Sequence, residues 1–473
     1  MSDINKILDF SSGTLTKNPQ YLKFKEKMTS IGEPYKIALL PDVHIKSKLE
    51  SPSGAAYAVK NAFSLKLTSP SPNCGMAMVQ LPISGEEINQ EKYLKDIVSY
   101  FCQQIPLNRK DPILNREQVI KIFNEGVVAL VKIFGMDERY VKNFEFEGNI
   151  FNLTNKQPED IDTIIPEFLT DLSRYRFGII GGGNHFLEFQ EVEEIYEPVI
   201  AANFGIQPGR ASILFHTGSE AVGSLIGRIY AQRSKTSLGM NLRLAPTKFK
   251  FLLHQKGIGN IYKFFQSSDL VLFPNQGSLS RDVLDAYYSA FNFGYANRFY
   301  ILDQIIKTLE HVLGKKVDAK LLIDISHNSI IKESFENEDY WIHRHNSVRI
   351  PPMSELDNHP VFSEYGYPLI IPGTDRTSTY ICIRGNDPEK TINSMDHGFG
   401  QLVKNMMLSG NFSPKNSKTR MFNYTETGFT ENHLLNDDFL DDRIHYLENE
   451  GILKPVARLR PFATLKGPKP KLN

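Results

Sequence analysis

Cysteine is scarce in this chain: Cys74, Cys102 and Cys382 are the only three in 473 residues. An odd, widely spaced set is not a disulfide framework, so a reducing compartment, the cytosol, is expected. Net charge is missing as well, since Lys+Arg and Asp+Glu each number 54. That excludes a global attraction to nucleic acid, and any polyanion must be met by a local patch. Long apolar runs are absent. No stretch approaches the ~20 residues that a membrane span needs. The opening MSDINKILDF has neither the basic n-region nor the apolar h-region of a signal peptide. Internal repeats at solenoid periods and low-complexity segments are also missing.

What remains is the composition of a soluble globular protein, 41% hydrophobic and 23% charged. Short apolar runs of strand type recur at 35–40, 75–81, 175–180, 211–216, 320–326, 367–373 and 379–385. Helical patterns lie between them, at 92–104, 116–133, 219–233 and 281–313. The last carries Tyr287, Tyr288, Phe291, Phe293, Tyr295 and Phe299 at spacings that bury them, so they are expected in the core. Residues 412–432 are rich in Asn, Lys, Ser, Thr and Gly and read as an exposed loop or lid. No polar stretch is long enough to be a linker. The expectation is one α+β domain over 1–473, with its chemistry on loops at strand ends. A basic cluster closes the chain: Lys454, Arg458, Arg460, Lys466, Lys469 and Lys471. Lys469 and Lys471, set between prolines, read as a solvated tail.

Histidine is where the sequence becomes specific. It occurs in PDVH (41–44), GGGNHFLEF (181–189), FHTGS (215–219), DISHNS (324–329) and DHGFG (396–400). A lone histidine is more often structural than a ligand. Here His185, His216 and His327 each follow or end an apolar run, so each should emerge at a strand end beside small residues. Cys74 lies in a Pro-Asn-Cys-Gly turn. Thiolate plus imidazole suits a borderline-soft divalent ion, and one Cys with three His meets its stoichiometry. None of these forms a short CxxC or HExxH unit. His397 sits among glycines whose amides can cradle a phosphate, and imidazole can attack phosphorus. The plainer reading is a histidine in a glycine turn. The hydroxyl-rich segment 370–380 suits either a nucleotide or an ordinary turn.

Taken in order, PDVH, NCGM, GGGNHFLE, HTGS, NFGYANR, DISHN, PGT…TSTY, HGFG and LRP…LKG resemble the RtcB family of RNA-splicing ligases over nearly the whole chain. The resemblance implies an α+β fold of that family's own type with a central metal and nucleotide cleft. It implies joining of RNA ends bearing a 2',3'-cyclic phosphate or 3'-phosphate to 5'-hydroxyl ends, with manganese and GTP, through a histidine-linked GMP. By position, Cys74 would bridge two manganese ions, with His185 on one and His216 and His327 on the other. His397 would take GMP. Asn184, His185, Glu188, His327, Asn328, Pro372, Gly373, Thr374, Asp375, Thr379, His397, Gly398, Phe399, Gly400 and Lys466 would line the guanylate site. The partner implied is RNA with broken ends, tRNA or other, with an archease-type activator, and neither membrane nor DNA.

The chain departs from the family pattern at several places. Ser71 stands where the family has an aspartate three residues before the cysteine, which puts the ion beside His185 in question. Glu220-Ala221 replaces Arg-Gly after HTGS. IKSKLESPSG replaces a glycine-rich stretch, His343-Arg344-His345-Asn346 replaces an HRKG-like segment, PGTDR replaces PGSMG, and Phe439 replaces a tyrosine. Two other outputs fit such a member: guanylyl transfer that caps an RNA 3'-end, or metal and RNA binding without catalysis. Arg344, Arg349, Arg458 and Arg460 are candidates to hold RNA, the last two alternatively bracing the fold.

Overall fold

The computed structural model describes residues 5–467 except 48, 155–157, 159–160, 232–241, 243, 247–269 and 426–427. Lys469 and Lys471 lie outside the described residues.

Two sheets carry the architecture. The larger has nine strands. Its continuous path runs Leu369–Pro372, Thr379–Arg384, Leu453–Lys466, Phe186–Ile195, Arg210–Thr217, Gly75–Ser84 and Lys320–Ser326, each beside the next. Side chains alternate across it. Ala77 and Val79 enter one core and Met76 and Met78 the other, as the two-residue period of a strand requires. Buried on both faces over most of their length, Gly75–Ser84 and Arg210–Thr217 read as largely apolar runs. The second sheet has five strands, ordered Lys6–Asp9, Tyr35–His44, Ser53–Val59, Glu338–His345 and Asn328–Phe335. Mixed helix and sheet in separate layers is the α+β class that was expected.

The first core packs around a helix spanning Ser278–Leu313. Tyr287, Tyr288, Phe291, Phe293, Tyr295 and Phe299 are all buried on it. The expected helix at 92–104 is present as Glu91–Gln104, and that at 219–233 as Glu220–Tyr230. Residues 232–233 lie outside the described set. The expected helix at 116–133 is broken in two, Arg116–Glu125 and Val127–Phe134. Gly126 between them has φ +59°, and a Cβ there would collide with the Gly148 carbonyl. Only glycine fits both demands.

Two further expectations are corrected. Residues 175–180 are not a strand. Tyr175 and Arg176 finish the helix Glu167–Arg176, and Phe177, Ile179 and Ile180 are buried in irregular chain. Residues 412–432 are not a loop or lid. Strand Pro414–Asn423 pairs antiparallel with Phe429–Leu435 and parallel with Leu453–Lys466. Its outward side chains are exposed, which is why its composition resembles a loop. No described helix is long and apolar enough to cross a membrane.

Candidate metal and nucleotide site

Strand order assembles the site. Cys74 immediately precedes strand Gly75–Ser84, and His185 immediately precedes Phe186–Ile195. His216 is the penultimate residue of Arg210–Thr217. His327 joins Lys320–Ser326 to Asn328–Phe335, linking the two sheets. The register pairs Phe186 with His216, His216 with Met76, and Gly75 with Ser326. All four side chains therefore sit at one end of laterally adjacent strands. His185 enters a strand, where the sequence suggested that it leaves one.

The geometry is compact. Cys74 Sγ lies 3.2 Å from His185 Nε2 and 3.2 Å from His216 Nε2. Ligand atoms of Cys74, His216 and His327 all lie within 4.8 Å of one another, and all three residues are buried. His327 Nδ1 is buried with no hydrogen-bond partner, a state that normally costs free energy and calls for an explanation. A cation supplies one. Burial, above all, pushes His216 and His327 well below the usual histidine range, leaving neutral imidazoles with lone pairs to give. His185 behaves oppositely. Burial opposes its charge, but the Cys74 sulfur and the Glu220 carboxylate together raise it well above its ordinary value. A position that favours an added proton favours positive charge, and the residues present fit a thiolate–imidazole metal site.

A buried arginine holds the cysteine turn. Arg298, on the Ser278–Leu313 helix, pairs with Asp324 through Nε at 2.7 Å and Nη2 at 2.6 Å. It also donates to Asn73 O at 2.9 Å, Asn73 Oδ1 at 2.7 Å and Thr217 O at 3.0 Å. Asn73 itself has φ +47°, a left-handed conformation that asparagine tolerates. The neighbouring Asn297 accepts from Gly178 N and donates to Ile179 O. One helix turn thus anchors both the Cys74 turn and the loop leading to His185.

The His397 loop packs directly on this cluster: the rings of His327 and His397 have centroids 4.7 Å apart. His397 Nδ1 is buried and unpartnered. Burial first, then Lys46 and His44, bring its pKa down to about 3, so the ring is neutral near pH 7. Phe399 N donates to Pro372 O at 2.8 Å, binding the 372–375 turn to this loop. Gly398 lies so close that a Cβ would be 2.8 Å from Pro372 O. In the turn, Thr374 N donates to Thr377 Oγ1 at 2.7 Å, and Lys466 Nζ pairs with Asp375 Oδ1 at 2.7 Å. Gln190 Nε2 bridges Glu188 Oε1 and Thr379 Oγ1, both at 2.7 Å. Burial raises the Glu188 carboxyl to about 7.

With this geometry established, sequence comparison decides the family. The model described as tRNA-splicing ligase RtcB matches residues 29–467. The chain belongs to the RtcB family. A relative named tRNA-splicing ligase RtcB from Nanoarchaeum equitans is 25% identical, covering 84% of this chain and 80% of its own. Another of that name, from Archaeoglobus fulgidus, is 24% identical over 91% of this chain and 87% of its own. The RNA-splicing ligase RtcB homolog 1 of Entamoeba dispar is 25% identical over 84% and 71%.

Some expected residues of this RtcB chain stand apart from the cluster. Asn184 is exposed. Asn328 is buried, and its Oδ1 accepts from Asn346 N at 2.9 Å. Gly400 begins the helix Gly400–Leu408, whose Leu402 N donates to Asp42 Oδ1 at 2.7 Å. Ser71 contributes its carbonyl to the cysteine turn, accepting from Cys74 N at 3.4 Å. The RNA-holding arginines need correction. Arg344 is fully buried against Glu333 and Ser394. Arg349 is 4% exposed and pairs with Glu333 and Glu355. Neither can present its charge to a solvent-borne polyanion. Arg458 pairs with Asp441, Glu193 and Glu194, and Arg460 with Glu193, the bracing role offered as the alternative. Arg298, Asn297 and Asp324 were missed as supports. Their signal was present in NFGYANR and DISHN, since charged and amide residues inside apolar runs need buried partners.

Proposed function

We propose that this RtcB-family protein is an RNA ligase that joins 2',3'-cyclic phosphate or 3'-phosphate ends to 5'-hydroxyl ends, using GTP and manganese through GMP carried on His397. The observation that carries this reading is the contact between His327 and His397. It puts a neutral imidazole, its Nδ1 without a hydrogen-bond partner, against a Cys-His-His cluster. Bound at that cluster, manganese would neutralise triphosphate charge and polarise the α-phosphorus.

The chain's own residues have definable tasks. Cys74, His216 and His327 would hold the cation, with His185 beside the same sulfur. The neutral His397 ring attacks the α-phosphorus. An N–P bond forms, the α–β anhydride bond breaks, and pyrophosphate leaves with the electron pair. Lys466 and the 372–375 turn lie where they can meet the nucleotide, with Glu188 and Thr379 behind them. An RNA 3'-phosphate then takes GMP from His397, and a 5'-hydroxyl displaces GMP to close the strand; a cyclic end is first opened by water. The relatives' names suggest tRNA as one substrate, and an archease-type protein is a candidate activator. Free cysteines throughout the described residues suit the cytosol.

Labelling tests the reading. After incubation with manganese and α-labelled GTP, label should remain on the denatured protein. It should resist alkali, yield to acid, and be absent in His397→Ala. Equal labelling of that variant would refute the assignment to His397. Native protein that binds GTP but never takes label would point instead to RNA binding without catalysis. Label that passes to RNA without strand joining would identify a capping activity.

A further inference from the structure

We propose that Glu220 is a positioning residue for the metal centre: its carboxylate fixes His185 with the proton on Nδ1, so that Nε2 faces the ion beside Cys74. The inference rests on the metal reading above and adds a residue to it.

The contacts define the role. His185 Nδ1 lies 3.0 Å from Ile180 O and 2.6 Å from Glu220 Oε1. His185 Nε2 lies 3.2 Å from Cys74 Sγ. The two ring nitrogens therefore face different partners. Carbonyl and carboxylate oxygens on one nitrogen demand a proton there, which leaves Nε2, the nitrogen that faces the sulfur, as the one to give its lone pair to a bound ion. Glu220 Oε1 is buried with no hydrogen-bond partner, so its ion pair with His185 is what offsets its desolvation. Glu220 is not itself a ligand of an ion held between Cys74 and His185, because it touches the far nitrogen of the ring. It acts through His185, as carboxylates behind metal-bound histidines do, raising the basicity of the donor.

The local backbone is arranged around this pair. Glu220 opens the helix Glu220–Tyr230 with φ +51°. Gly181, on the loop that leads to His185, has φ +84°, and a Cβ there would occupy the position of the Glu220 carboxylate. The glycine leaves the space, and the strained glutamate fills it. The negative charge also matters. Ser71 offers no carboxylate to a cation near Cys74, whereas Glu220 sets one directly behind His185.

The test is a double-mutant cycle read by metal affinity rather than ligation. Manganese dissociation constants would be measured by chelator competition for the native chain, E220Q, H185A and the double variant. E220Q keeps the side-chain volume and removes the charge. It should weaken the site by about 10-fold or more, the usual effect of removing such a partner, and should add no loss in the H185A background. Unchanged affinity in E220Q, or an equal loss in both backgrounds, would overturn the proposal. A metal-free measurement guards against a general folding defect. In ¹⁵N-histidine spectra of the apo protein, the His185 Nδ1 proton should move upfield in E220Q while the His216 and His343 ring signals stay. A His185 signal that does not move would also overturn it. Native protein that binds no manganese overturns the metal reading itself, an outcome distinct from a native site that E220Q leaves untouched.

Discussion

The rings of His327 and His397 meet at a tilt of 52° with centroids 4.7 Å apart, yet the two residues follow strands of different sheets. His327 follows Lys320–Ser326, the last strand on the path of the nine-stranded sheet, and His397 follows the short strand Ser394–Asp396, which pairs with Ser347–Arg349. Their contact joins the Cys74–His216–His327 cluster to the loop that is bonded to the 372–375 turn. Loss of the His327 ring should therefore impair both. His327→Ala should lower manganese affinity by an order of magnitude or more and also reduce His397 labelling at saturating manganese. Normal labelling once metal is restored would separate the two roles.

The number of ions is a second expectation. Cys74, His216 and His327 form one set with ligand atoms close together, whereas His185 meets it at the Cys74 sulfur and at the edge of the His216 ring. Ser71 gives no carboxylate. Metal analysis after dialysis should return nearer one ion than two per chain, and Ser71→Asp should raise the figure. Two tightly held ions in the native protein, unchanged by that substitution, would mean that other ligands complete the second position.

Arg298 supports the cysteine turn from within the protein. Removing one member of a buried ion pair strands the other, at a typical cost of about 3–5 kcal/mol. Arg298→Met should lower the denaturation midpoint strongly. The double variant Arg298→Met, Asp324→Leu should recover part of that loss. Manganese affinity should stay reduced even in the double variant, because Asn73 and Thr217 still lack their donor. Full recovery of metal binding would show that the turn holds its own shape.

The arginines of the second sheet give an expectation opposite to the one their charge suggests. Arg344 and Arg349 are committed to Glu333 and Glu355. Replacing Arg344 by Ala should destabilise the fold, and the salt dependence of RNA binding should stay as it was, since that slope counts phosphate contacts. A shallower slope in a folded Arg344→Ala protein would restore it to the RNA surface.

These cases show what was legible in the sequence. Runs buried on both faces, such as 75–81 and 320–326, announced their strands because apolar residues occupy both faces of each. The 175–180 run had the same appearance, but Phe177 and Ile180 fill the core from irregular chain, and composition cannot separate the two. The exposed hairpin around 414–435 was invisible for the converse reason, as its polar side chains imitate a loop. The histidines could be named from their settings, but their convergence depends on which strands lie side by side, a long-range pairing that no local pattern encodes. Arg344 looked like surface charge because its partner Glu333 lies across a hairpin. Glu220 looked like a charge in the wrong place until His185 was found against it.

Glu188 offers a pH test with a definite sign. It is buried between Gln190 and Thr464, accepting at 2.7 and 2.9 Å, and burial is the largest cause lifting its carboxyl to about 7. An unfolded glutamate titrates near 4.3. Between those values the folded chain keeps a proton that the unfolded chain has lost. Stability from this group is therefore fully present below about 4.3 and is lost as pH rises through about 7. Glu188→Gln removes the titration while keeping the shape. With metal chelated, denaturation midpoints of native and variant protein should diverge as pH rises from 4.5 to 7.5, with the glutamine form gaining on the native one. Above that range the gap should level off. A gap that widens toward acid would mean that Glu188 is held as a carboxylate, with Lys466 rather than burial governing it.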